Sequence, residues 1–181
     1  MINERFVIGL LALSVVKATP ITLGALSGLI GERSGIINIG IEGMMLMSAF
    51  TSLLGAVYSN SLWVGVGVGL LTGALAGFFL ALLSIRYKTD QIVGGTVINL
   101  LAAGITAYGS VTVIDAQDIS GIGVLPTIRI PVLADLPIVG PVLFQQQPIT
   151  YTMLILVFVV HIALFYTPWG LRTRAIGEHP R

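Results

Sequence analysis

Two carboxamides and one carboxylate stand inside otherwise apolar runs of this chain: Asn38 and Glu42, four residues apart, and Asn99 much further along. Carrying an ionised carboxylate to the centre of a bilayer costs at least ~2.5–3.5 kcal/mol on insertion scales, so such a group usually faces a protein interior or a water-filled path. If the segment is helical, positions 38 and 42 share one face. One reading makes Asn38, Glu42 and Asn99 a buried interhelical hydrogen-bond network that holds helices together. The other makes them the lining of a translocation pathway, offering donors and acceptors to a hydroxyl-rich solute. Glu42 also falls only six residues beyond Ile36, which leaves a place at the membrane interface open to it.

Other chemistries lack their residues. There is no G-x-x-x-x-G-K-[ST] phosphate loop, so the chain is not expected to bind and hydrolyse ATP itself. There is no H-E-x-x-H, no suggestive Ser-His-Asp context, and no cysteine for a disulfide, a thiolate metal site or a nucleophile. Met44, Met45 and Met47 read as adaptable packing rather than as a metal site, and His161 reads as a packed or interhelical residue. No cofactor, no metal and no enzymatic activity is expected.

The elements that must position the polar residues are membrane helices. Charged residues are 9% of the 181, against about 25% in ordinary soluble domains, while hydrophobic residues are 55% and mean hydropathy is +0.98. A net charge of +1, with nine basic residues in no dense cluster, gives no footing for nucleic acid. Five hydrophobic runs meet the ~20 residues needed to cross a bilayer: about Phe6–Ile30, Ile36–Tyr58, Leu62–Ile85, Gln91–Ile114 and Ile149–Pro168. Arg5 before the apolar run Phe6–Val16 raises a signal peptide as the rival for the first. No small-x-small cleavage site follows, and the run continues to Ile30, so a retained helix bent at Pro20 is expected. Tyr58, Trp63, Tyr151 and Trp169 fall near span ends, where amphipathic rings favour the interface. The fold class is therefore all-α, a polytopic transmembrane bundle treated as one domain over 1–181.

Between the last two spans, residues 115–148 carry prolines at 126, 131, 137, 141 and 148, which forbid a continuous helix. Enough aliphatic residues remain to predict a structured loop on the membrane surface rather than a disordered linker. Orientation follows from the basic residues. Arg33, Arg86, Lys88, Arg172, Arg174 and Arg181 must share one side, and only Arg5 and Arg129 fall on the other. The amino terminus and the 115–148 loop are expected outside, and the carboxyl terminus in the cytoplasm. In the third span Gly65, Gly69, Gly73 and Gly77 form a four-residue stripe expected to pack tightly on a neighbouring helix. Gly24 and Gly28 repeat that spacing in the first. Asp90 is placed to cap the start of the fourth span.

Three stretches resemble one family. Gly31–Phe50, GERSGIINIGIEGMMLMSAF, and Lys88–Asn99, KTDQIVGGTVIN, the latter within a D-Q-x-x-x-G-x-x-x-N-x-L pattern, are similar to permease subunits of bacterial ABC importers. The group is the one that moves nucleosides and simple sugars, related to the branched-chain amino acid permeases. Thr167–Arg181, TPWGLRTRAIGEHPR, resembles that group's T-P-x-G-L-R-x-R-A-x-G-E-x-P. The resemblance implies a multi-pass inner-membrane subunit. Its expected partners are a second permease, cytoplasmic ATPase subunits and an extracytoplasmic solute-binding protein, with transport by alternating access. It implies an ATPase-docking region at Arg174, Gly177, Glu178 and Pro180, with Gly177 and Pro180 breaking the helix before a docking helix beyond Arg181. The chain covers a little over half of the family's usual length. A secondary transporter or channel using the Glu42 region for ion coupling, and a non-transporting membrane scaffold, are the alternatives.

Overall fold

The computed structural model describes residues 4–114, 123–131, 133–134, 137 and 139–178. Its contacts fall into two bodies, one from Gly31–Val124 and the other from Met1–Ile30 with Leu125–Arg181. Five helices are long and apolar enough to cross a membrane. They are α1 (Glu4–Arg33), α2 (Ile41–Ser59), α3 (Leu62–Ala81), α4 (Gln91–Gly109) and α6 (Pro148–Tyr166), all within the expected spans or a few residues beyond them. α3 and α4 each end in a single π-helical turn, Leu82–Arg86 and Ser110–Ile114. Large apolar side chains such as Leu70, Leu71, Leu75 and Phe78 point outward. That is the arrangement expected of a protein surrounded by hydrocarbon.

In the Gly31–Val124 body, α2 and α3 form the most extensive helix pair, and small residues are the reason. Gly65, Gly69 and Gly73 of α3 face Ser48, Ser52 and Ala56 of α2. A methyl built on Gly65 would stand 2.6 Å from the Ser52 carbonyl oxygen, and one on Gly73 2.8 Å from the Ser48 hydroxyl. Gly77 departs from the expected stripe, because a methyl there meets nothing within 4 Å. The Thr51 and Thr72 hydroxyls join the same pair at 2.9 Å. Met44, Leu80 and Ile98 then close a small core among α2, α3 and α4.

The second body contains α1, α6 and the proline-bearing connection. α1 runs through Pro20 as one 30-residue helix. The hydroxyls of Thr19 and Thr150, both buried, lie 3.3 Å apart where α1 meets α6. The described part of the connection carries short elements. β1 (Ile128–Arg129) pairs antiparallel with β2 (Gln145–Gln146), around the short helix α5 (Val139–Leu143). Tyr151 ties this hairpin to α6: its hydroxyl donates to the Ile128 carbonyl (3.1 Å) and accepts from the Gln146 N–H (3.3 Å).

Candidate functional site

Residues 34–40, between α1 and α2, form a joint rather than a stretch of span. α1 is terminated by a Schellman turn. The Ile36 N–H donates to the Gly31 carbonyl (3.0 Å) and the Gly35 N–H to the Glu32 carbonyl (3.1 Å). Gly35 holds φ 83°, which a side chain would oppose. The chain then stays non-helical until α2 begins at Ile41. Asn38 therefore precedes the helix, and the shared face expected for Asn38 and Glu42 does not form. Instead the Asn38 Oδ1 accepts from the Gly40 N–H (2.9 Å), a local turn of the kind short carboxamides favour. Its Nδ2 lies 3.7 Å from the Met44 sulfur.

α4 holds this joint. Gln91, Gly95 and Asn99 recur every four residues and so line one face of α4. Gln91 Oε1 accepts from the Ile37 N–H (2.7 Å). The Asn99 Oδ1 accepts from the Gly43 N–H (2.8 Å), and its Nδ2 donates to the Ile39 carbonyl (3.1 Å). Gly43 is the third residue of α2, so its N–H is one of those that a helix start leaves unpaired. Gly40, at the N-cap position, has no side chain to accept it, and Asn99 does so from another helix. The backbones touch between these bonds: a methyl on Gly95 would sit 2.8 Å from the Gly40 nitrogen, and one on Gly43 2.7 Å from the Asn99 Cα.

The structure thus brings Asn38 and Asn99 together around the start of α2, each bonded to backbone. Glu42, the second residue of α2, is exposed at the same end. Because the helix starts five residues later than the span Ile36–Tyr58 implied, Glu42 stands in the first turn of α2 and not in its interior. There its charge complements the helix dipole. Asp90 caps α4 as expected, accepting from the Ile92 and Val93 N–H groups at 2.8 and 3.4 Å. Sequence reasoning passed over Gln91, Gly95, Gly40 and Gly43 as site residues. The 91/95/99 spacing was the available signal.

At the other candidate region, α6 ends at Tyr166 and α7 (Pro168–Glu178) begins at once. Thr167 accepts the Gly170 N–H on its hydroxyl (3.2 Å), and Pro168 fills the first helical position. A methyl on Gly170 would overlap the Ala163 and Leu164 carbonyls, so the corner is tight. Arg174 turns back onto it, its guanidinium 5.2 Å from the centre of the Phe165 ring and its Nε 3.4 Å from the Gly170 carbonyl. The helix break expected at Gly177 is absent: α7 runs through it to Glu178, since one glycine weakens a helix without ending it. Pro180 lies outside the described residues. The His161 ring lies tilted against those of Phe165 and Tyr166, with ring centres 5.1 and 5.8 Å away.

Residues 10–181 match the family described as branched-chain amino acid transport system / permease component. Among curated relatives, the guanosine ABC transporter permease protein NupQ of Bacillus subtilis (strain 168) is 35% identical over 92% of this chain and 55% of its own. The putative glucose ABC transporter permease protein TsgC13 of Haloferax volcanii is 35% identical over 97% of this chain and 53% of its own. The nucleoside ABC transporter permease protein NupC of Lactococcus lactis subsp. cremoris is 29% identical over 92% and 55% respectively. The chain spans about half the length of these relatives. No solved structure matches it. With the match running through the capped joint, the α4 face and the α6–α7 corner alike, this chain belongs to the branched-chain amino acid transport system / permease component family of multi-pass membrane proteins.

Proposed function

We propose that the chain is the amino-terminal part of a permease subunit of an ATP-driven importer, and that its solute is a nucleoside. The observation that carries this is the family match over residues 10–181, with relatives named for guanosine and for nucleosides. The five apolar helices supply the membrane-spanning part. The permease works with a second permease, cytoplasmic ATPase subunits that hydrolyse ATP, and an extracytoplasmic solute-binding protein, in the cytoplasmic membrane. The amino terminus lies outside, because six of the eight basic residues that flank the spans fall in the loops placed inside. In this arrangement α7, with Arg174, Gly177 and Glu178, lies on the side where the ATPase docks.

Asn38, Glu42 and Asn99 divide by their bonding. Asn38 and Asn99 are committed to backbone, so Glu42, exposed at the start of α2, is the residue of the three that meets solute. The test is uptake of labelled guanosine into liposomes that hold the full-length permease with its ATPase and binding protein. ATP-dependent uptake competed by other nucleosides supports the reading, whereas competition by glucose alone moves the solute class to sugars. Uptake driven by an ion gradient without ATP would establish a secondary transporter instead.

A further inference from the structure

We propose that Gln91 and Asn99 are positioning residues that hold the α1–α2 joint in one register on α4, and that this latch stays closed throughout the transport cycle. The second half rests on the importer reading; the first does not. A primary carboxamide carries the same donor and acceptor as a peptide group, so it can pair with extended backbone as a neighbouring strand would. Asn99 does this at two points, accepting from Gly43 and donating to Ile39. Gln91, two turns earlier on the same face, accepts from Ile37.

Gly95 lies between them, and the 2.8 Å from its would-be methyl to the Gly40 nitrogen leaves no room for a side chain. Sliding the joint by one residue would therefore break three hydrogen bonds and drive a side chain into α4. Opening it would leave the N–H of the buried Gly43 without its acceptor, which is disfavoured for a peptide group out of water. A permease that changes the side its pathway faces has to move some contacts and keep others. The geometry makes this one a contact to keep, so α2 and α4 move as one body.

Hydrogen exchange of the full-length permease, assembled with its ATPase and binding protein in lipid nanodiscs, reads the latch directly. The amides of Ile37, Gly40 and Gly43 should exchange slowly without nucleotide and equally slowly with ATP and vanadate trapped. Asn99→Leu should speed exchange at Gly43 by on the order of tenfold or more while leaving residues 65–73 of α3 unchanged. Asn99→Asp, which keeps the acceptor and loses the donor, should retain part of the protection. Should Asn99→Leu fail to fold, Gln91→Ala at the edge of the contact should release Ile37 alone. Unchanged exchange at these amides in both variants would overturn the positioning role. Loss of protection in the trapped wild-type complex would overturn the closed latch. Absence of ATP-driven uptake by the wild type bears on the importer reading alone, since the variant comparison also runs without nucleotide.

Discussion

Glu42 illustrates how little a residue type decides before its backbone is known. Inside an unbroken span its charge demands a polar path, yet one residue into a helix it is an ordinary member of a first turn. On the importer reading proposed above, Glu42→Gln in the full-length permease should change nucleoside uptake and leave assembly with the ATPase intact. Wild-type uptake would remove Glu42 from the pathway. Glycines divide the same way. Gly43→Ala places a methyl 2.7 Å from the Asn99 Cα, a backbone atom that cannot step aside, and should lower stability by about 1–3 kcal/mol. Gly67→Ala, with nothing within 4 Å, should instead raise it by roughly 0.5–1 kcal/mol through helix propensity. Thermal unfolding in detergent compares the two, and equal effects would refute the close approach of α2 to α4. Asp90→Ala, losing a side-chain cap, should cost about 0.5–2 kcal/mol in the same assay.

Among elements, the helices were legible because runs of ~20 apolar residues have few other uses. Their joints were harder to read, since Ile36, Ile37 and Ile39 look like more of the same span. What breaks the helix there is Gly35 in a left-handed conformation and Asn38 bonding its own turn, both visible as letters but outweighed by hydropathy. The end of the fifth span at Pro168 agrees with the α6–α7 corner to within two residues, and only the further break expected at Gly177 does not form. Thr167-Pro168 starts a helix, and Gly177 was given the breaking role that Thr167 already fills. The two-residue strands β1 and β2 were invisible, because so short a ladder has no periodicity to detect. Thr167→Val removes the acceptor for Gly170 and should loosen α7 from α6. Faster proteolysis within residues 168–178, with the spans intact, is the expected result, and unchanged cleavage would deny Thr167 its capping role.

For the whole molecule, orientation is the property most open to test. A cysteine at Val124, which is 80% exposed, should react with a membrane-impermeant thiol reagent added to intact cells, and one at Lys88 should react only after permeabilisation. The reverse pattern would invert the topology. The bonds across the α2–α4 contact also govern how the chain is made. Gly43 waits for an acceptor 56 positions further on, and Ile37 for one 54 positions on. At about 5–20 residues per second, synthesis of that interval takes on the order of 3–11 s. Until α4 emerges, water or the insertion machinery must satisfy the leading end of α2, which confines that end to the membrane surface. α2 is therefore completed as a span only when α4 arrives, and a ribosome stalled between the two should leave residues 36–43 open to solvent-borne reagents.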